Sequence, residues 1–433
     1  MGEIMRKFVE GHFYIALLFL VGILNWVFET AKIYSAFMVL ITIIIVGWNL
    51  PRKALIPLLF GMMIAYNHQQ FDLYHLVCGG VVILILIFDL IRHRQYKLSV
   101  LIIGFLVWIS SMIMSIFTSL DPHYVLLGIG QALIWLLILY YSWVHRDEGT
   151  LTYIFHSFAY LSAAILVEII LSILMQLNQP LIEVFRTLDL GWGSYPQISI
   201  IYLIAMVLTT YWFLQDERKI GLFYLILFQG LMASIFTSKG TYLAMLLLAV
   251  PYMILFFQNT KRRQTLAKIL IGYLIFALLF RLLVATPTGM RTAWYERVNL
   301  MERFDKDIIF QLGLDAFYSN PLFGIGAYNS PIFLQSLSLE RGITYYYFQN
   351  YFLQTLATLG ILGMVAFGFF LISIIRYLRK KTLLNYFIGI IIGIYLIQGF
   401  FDTTFYSMIL MSFLAIILSM TEEEKGVYIN VYN

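Results

Sequence analysis

Charge is what this sequence has least of. Only 12% of its 433 residues are Asp, Glu, Lys or Arg, while 61% are hydrophobic. A soluble domain is nearer a quarter charged and half apolar. No water-soluble core could hide this much apolar surface, so an ordinary soluble enzyme is excluded and lipid must be the solvent for much of the chain. Cysteine is almost absent too. Cys78 stands alone inside an apolar run, so no intrachain disulfide can form, and it reads as a small core residue. The motifs of soluble enzymes are missing: there is no P-loop, no HExxH and no Gly-x-Ser-x-Gly. The pair Gly324-x-Gly326 is too short for a dinucleotide fingerprint. Seven histidines are scattered without metal-ligand spacing, so no metal is expected. His75 and His156 read as packed, hydrogen-bonded histidines within spans.

What is present is a long series of apolar runs. A spanning helix needs about 20 mostly apolar residues. Runs near 12–28, 34–48, 54–66, 71–91, 98–118, 123–144, 151–177, 195–214, 220–236, 241–257, 267–286, 351–375, 383–400 and 403–419 predict an all-α, polytopic transmembrane helix bundle of about 12–14 spans. The third run is short enough to be re-entrant. Arg6 and Lys7 precede the first run, but no small-residue cleavage site follows and Asn25-Trp26 leads on into more apolar sequence. This reads as an uncleaved first span.

Loop charges fit that count. With the N-terminus cytoplasmic, the inside loops carry Arg52-Lys53, Arg92, Arg94, Lys97, Arg146, Arg218-Lys219, Lys261-Arg262-Arg263, Lys268, Arg376 and Arg379-Lys380-Lys381. The outside turns near 67–70, 119–122 and 401–402 carry no Lys or Arg; Lys32 and Arg186 are isolated exceptions. The positive-inside bias thus predicts both termini in the cytoplasm. The net charge of +5 is dispersed in short clusters that suit anionic head groups, and nucleic acid is not an expected partner.

Residues 287–350 break the pattern as a long hydrophilic segment on the expected outer side. They divide the chain into an N-terminal bundle (1–286), an extracytoplasmic loop (287–350) and C-terminal helices with a short tail (351–433). The loop reads as structured. Ile308, Leu312 and Ala316 recur at every fourth position while Asp307, Gln311 and Asp315 line another face, which predicts an amphipathic helix ending at Ser319-Asn320-Pro321. A long structured loop between late spans is usually functional. No internal repeat is visible.

Charges at membrane depth cost a few kcal/mol or more if unpaired. Arg281, near the outer end of its run, and Lys239, in the turn Ser238-Lys239-Gly240, are either snorkelling cations or anion contacts. Arg291, Arg297, Arg303, Lys306 and Arg341 add positive charge to the outer loop, against the inside bias. A solvated face or an anionic ligand at the outer leaflet would each account for them. Glu168 within its span and Asp402 at an outer turn are candidate ion-pair partners or general bases.

The stretch Arg303 to Phe370 resembles the O-antigen ligase/polymerase superfamily of bacterial membrane glycosyltransferases. The resemblance rests on Phe310-x-x-x-Leu314-x-x-Phe317-x-x-Asn320-Pro321-Leu322-Phe323-Gly324-Ile325-Gly326, on Gln349-Asn350-Tyr351-Phe352-Leu353, and on Leu359-Gly360-Ile361-Leu362-Gly363. Earlier, Phe236-Thr237-Ser238-Lys239-Gly240 resembles the family's Ser-Arg-Gly turn.

The resemblance implies a polyprenyl-diphosphate-linked glycan donor, undecaprenyl diphosphate being the expected carrier, whose anomeric carbon is attacked by an acceptor hydroxyl while the lipid diphosphate leaves. No cofactor is implied. Negative charge gathers on the leaving group, so fixed cations at the head-group plane would stabilise it. Lys239 occupies the family's arginine position, and Lys306 or Arg303 the basic position before the loop helix; Arg281 is an electrostatic candidate without a motif match. Tyr328 and Tyr345 are candidates to stack on sugars or to form an interfacial belt. The family's loop-end histidine is Gln349 here, which hydrogen-bonds but takes no proton at neutral pH. Gln349 and Asn350 are therefore expected to bind substrate. The base would be Asp315 or Asp402, or proton loss is late. The absence of that histidine points to a polymerase of repeat units for capsule, exopolysaccharide or O-antigen. A ligase acting on another acceptor and a flippase or exporter are the alternatives, and a transporter would favour repeated halves with short loops. A chain-length regulator and a flippase are partners left open.

Overall fold

The computed structural model of the chain describes residues 2–65, 73–93, 99–147, 149–176, 190, 195–235, 239–264, 266–268, 271, 301–341 and 346–421. Among these residues the regular structure is helical and no strand occurs. The helices are α1 (Gly2–Glu10), α2 (His12–Phe28), α3 (Ala31–Gly47), α4 (Leu55–Ala65), α5 (Leu73–His93), α6 (Val100–Met114), α7 (Pro122–Val144), α8 (Thr150–Met175) and α9 (Tyr195–Gln215). They continue as α10 (Ile220–Ile235), α11 (Lys239–Asn259), α12 (Met301–Ser319), α13 (Ser330–Phe333), α14 (Gln335–Arg341), α15 (Tyr351–Tyr377), α16 (Leu383–Gly399) and α17 (Met408–Leu418).

Six of these are long and apolar enough to cross a bilayer, and α1 and α2 would make a seventh as one span bent by 65°. Shorter apolar helices occupy the runs at 34–48, 220–236, 383–400 and 403–419. The chain is an integral membrane protein with an all-α polytopic fold. Of the expected run 267–286 only residues 267, 268 and 271 are described, and Arg281, Arg291, Arg297 and Tyr345 lie outside the described residues.

Helix starts follow local chemistry. A free backbone N–H in the first turn needs an acceptor, and a short polar side chain supplies one. Ser99 accepts from Ile102 N at 3.3 Å, Asn350 from Leu353 N at 3.0 Å, Thr382 from Asn385 N at 3.2 Å and Ser407 from Leu410 N at 3.4 Å. These four residues open α6, α15, α16 and α17.

The chain forms two compact units. The first comprises residues 1–95, 141–238 and 248–294; the second comprises 96–140, 239–247 and 295–433. In the first, α1 is held where the Tyr153 hydroxyl donates to Val9 O at 2.7 Å, and α2 where Tyr14 donates to Ala54 O at 3.0 Å. Its least expected feature is Asp89, a fully buried carboxylate within α5. Arg52, read above as a loop cation, is itself buried and bonds both carboxylate oxygens at 2.7 Å. Its remaining donors reach Ile45 O at 3.2 Å, Leu50 O at 2.7 Å and Asn49 Oδ1 at 3.1 Å. All five guanidinium N–H groups are thereby used. Such full satisfaction makes a buried ion pair tolerable in a low-dielectric interior.

In the second unit, α12 packs on α15 through one apolar cluster. Ile309, Ala316, Ile325, Leu334, Leu337, Phe348, Leu353 and Ala357 form it, with Ile308 and Leu312 packed against its edge. Asp307, Gln311 and Asp315 are exposed, as the amphipathic pattern requires. Gly313 faces Leu353 so closely that a side chain there would collide with it.

Candidate active site

The geometry of the site starts from a break in α15. Gly360 has φ 65° and interrupts the helical ladder. A break leaves carbonyls before it and N–H groups after it without partners, and buried orphans of that kind must be satisfied elsewhere. The Asn320–Gly326 segment supplies the partners. Ile325 N and Gly326 N donate to Ala357 O and Thr358 O, both at 3.0 Å; Ile361 N and Leu362 N donate to Pro321 O and Leu322 O at 2.9 and 3.2 Å. The Asn-Pro-Leu-Phe-Gly-Ile-Gly and Leu-Gly-Ile-Leu-Gly motifs are thus the two halves of one backbone joint.

The following turn, 324–329, is clamped from its other side by the α6–α7 connection. Thr118 donates to Gly324 O at 2.8 Å, Ala327 N to Ser115 Oγ at 3.0 Å, Leu120 N to Ile325 O at 3.1 Å, and Asp121 N to Asn329 Oδ1 at 2.8 Å. Tyr328 leaves this turn with φ 59°, and its ring lies directly over Gly128, where any side chain would displace it. Left-handed backbone is rare for a bulky residue and marks a conformation held by its surroundings.

Three segments distant in sequence meet elsewhere in the second unit. Asn350 donates to Phe400 O at 2.9 Å while its Oδ1 caps α15. Gly240, next to Lys239, lies against Gln398 and Phe401, and Thr241 donates to Gln398 Oε1 at 3.2 Å. Asp402 follows directly, its N–H bonded to Gln398 O at 2.9 Å and its Oδ1 accepting from Thr403 N at 2.7 Å. Gln349 precedes Asn350 in left-handed backbone, φ 54°. The backbone of Lys239, the Gln349–Asn350 pair and Asp402 therefore all border the 398–402 segment.

The other candidates are placed differently. Arg303 and Lys306 lie one turn apart near the start of α12, and Asp315 lies on its exposed face. The side chains of Lys239, Arg303 and Lys306 are outside the described residues, as is Arg281 altogether. Tyr347 joins the site from the loop: its ring is 5.8 Å from that of Tyr406, and the Asp402 carboxylate is close enough to influence its phenol. Burial first, and neighbouring Tyr406 and Asp402 next, push the Tyr347 phenol up to about 12; burial raises that of Tyr328 as well. Both stay protonated hydroxyls at neutral pH.

The first unit holds a second cluster that the sequence reading missed. Around Asp89 stand His93 Nδ1 at 3.4 Å, His145 Nε2 at 3.5 Å and the Tyr141 hydroxyl at 2.7 Å. The i, i+4 spacing of Asp89 and His93 on α5 was the available signal. These three Asp and His groups lie within 4.8 Å of one another, a spacing compatible with a metal ion. The donor set does not suit one. Arg52 occupies both Asp89 oxygens and places a fixed positive charge where a cation would sit. Burial, together with His93 and Arg52, lowers His145 to about 4 despite Asp89.

No curated protein matches the chain closely enough to count as a relative. The family described as Wzy_C, O-Antigen ligase, has a model that matches residues 222–368. That stretch is about a third of the chain and contains Lys239, the Gly324–Gly360 joint and Gln349–Asn350, so the match supports the O-antigen ligase/polymerase superfamily as the family to which these motifs point.

Proposed function

We propose that this protein is a polysaccharide polymerase that joins oligosaccharide repeat units carried on undecaprenyl diphosphate, at the outer face of a bacterial cytoplasmic membrane. The observation that carries the reading is that Gly240, next to Lys239, and Asn350, next to Gln349, both lie against the 398–401 segment that leads into Asp402. An acceptor hydroxyl attacks the anomeric carbon of the donor; the new C–O bond forms as the bond to the diphosphate oxygen breaks, and the electron pair leaves on the diphosphate. Lys239, with Arg281 and Lys306 or Arg303, holds that anion. The α12 helix and the 324–329 turn wall the sugar groove. Asp402 takes the acceptor proton; its place next to Phe401, which lies against Gly240, and near Tyr347 favours it over Asp315, which is exposed on α12. The reaction needs no metal, since the leaving group is already activated.

A ligase moving finished glycan to another acceptor is the second reading, favoured by the family's description. Gln349, which cannot serve as a base, weighs toward polymerase. The size distribution of lipid-linked and surface glycan in a deletion strain separates them. Single repeat units left on the carrier, with polymer restored by the complement, support the polymerase; long polymer stranded on the carrier supports the ligase. Normal polymer from a Lys239→Ala complement would remove Lys239 from the mechanism.

A further inference from the structure

A bulky residue in left-handed backbone must be held there by its surroundings. Gln349 has φ 54° and is half-buried, and residues 346–348, which lead to it, belong to no helix. Buried peptide groups in such a segment need partners from outside it. One side chain supplies them. Gln354, fully buried in the first turn of α15, accepts from Phe348 N at 2.8 Å through Oε1 and donates from Nε2 to Ser330 Oγ at 2.9 Å. Ser330 opens α13 and extends the chain, its hydroxyl donating to Tyr346 O at 2.7 Å. On the other side of Gln349, the backbone N–H of Gln354 donates to Asn350 O at 2.8 Å.

The role calls for an amide of this length. Phe348 N needs an acceptor, while Ser330 has committed its proton to Tyr346 O and so needs a donor. A carboxylate would offer Ser330 no proton and would bring a charge into a fully buried place. An apolar side chain would leave both Phe348 N and Ser330 Oγ without this partner. Phe348 is fixed a second way, by its ring in the apolar cluster between α12 and α15. Gln349 is thus bracketed, with Phe348 held before it and Asn350 after it.

We propose that Gln354 is a positioning residue of the transfer reaction. By holding Phe348 N, Asn350 O and, through Ser330, Tyr346 O, it sets the backbone from which Gln349 meets the lipid-linked glycan. This rests on the reading of Gln349 as a substrate contact and holds for a polymerase and a ligase alike. Gln354 itself touches no substrate. A residue that sets a binding contact acts on KM and leaves kcat nearly as it was. A residue that merely stabilised the fold would lower the fraction of active protein, and with it kcat, at unchanged KM.

The test uses purified full-length protein in detergent, with the lipid-linked glycan extracted from the deletion strain as substrate. Gln354→Met should raise KM by about threefold to tenfold, the range one hydrogen bond supplies, with kcat within about twofold of wild type. Ser330→Ala breaks the same chain from the loop side and should act alike, so the result does not hang on the folding of one variant. Gln349→Ala should raise KM too, and adding Gln354→Met to it should raise KM no further, because both act through one contact. Unchanged KM in Gln354→Met and Ser330→Ala, with KM raised in Gln349→Ala, overturns the positioning role alone. A KM that multiplies in the double variant does the same. Unchanged KM in Gln349→Ala overturns the substrate contact itself, and with it what Gln354 would position.

Discussion

Gly324 and Gly360 are reciprocal. A side chain on Gly324 would strike the backbone of Thr358 and Leu359, and one on Gly360 would strike the backbone of Leu322 and Phe323. Both have positive φ, 71° and 65°. Each glycine is required by the segment that contains the other, because the break in α15 and the turn that fills it satisfy each other's hydrogen bonds. Gly360→Ala or Gly324→Ala must adopt left-handed backbone, costing about 1–2 kcal/mol, and must also push the two segments apart. We expect either variant to lower the melting temperature of the purified protein and its yield in the membrane. Wild-type melting from both would show that the joint is not rigid.

At Lys239 the charge matters more than the shape, since a leaving diphosphate is stabilised by any fixed cation. Lys239→Arg should therefore keep polymer synthesis within about tenfold of wild type, while Lys239→Ala should lose about 100-fold or more. The readout is polymer length on the cell surface, normalised to protein in the membrane.

Asp402→Asn removes the proposed base while keeping an amide that can still accept from Thr403 N. We expect it to abolish polymer at normal protein levels, with Asp315→Asn remaining active. The reverse result would exchange the two roles.

The Arg52–Asp89 pair should prove structural. Removing one partner leaves a buried charge alone, so Arg52→Ala or Asp89→Ala should cost about 3–5 kcal/mol and deplete the protein from the membrane. Because Arg52 saturates Asp89, a strong chelator should leave melting unchanged. A drop on chelation, reversed by a divalent ion, would show that the Asp89–His93–His145 trio takes a metal after all.

His145 makes stability depend on pH with a definite sign. Its folded value of about 4 lies below its ordinary value of 6.5, so between these the unfolded chain binds more protons. Its contribution is complete above pH 6.5 and is lost as the pH falls toward 4. Arg52, Asp89, His93 and Tyr141 surround it; Arg52 and His93 oppose its protonation and Asp89 favours it, with burial outweighing all three. Melting should fall over this window in the wild type and fall less steeply in His145→Gln.

Much of this was legible in the sequence. Apolar runs near 20 residues long reveal membrane helices directly, because hydrocarbon solvates no backbone and every such run must form its own hydrogen bonds. The run near 12–28 and the helix His12–Phe28 coincide, as do the stripe Ile308, Leu312, Ala316 and the apolar face of α12. Cap residues such as Asn350 are also local, since they act on N–H groups three positions away.

Only the tertiary structure decided which distant residues share an environment. Nothing in the sequence singles out Asp89, whose counter-charge appears only where α5 meets Arg52, and the bond from Asn350 to Phe400 O joins residues 50 positions apart. The Gly324 and Gly360 motifs are visible separately, but their joint is not, because backbone hydrogen bonds between segments carry no side-chain signature. Sequence determines what each segment needs: an apolar solvent, a cap, a counter-charge or a partner for a broken ladder. Packing determines who supplies it, since that depends on which surfaces approach within about 3 Å in three dimensions.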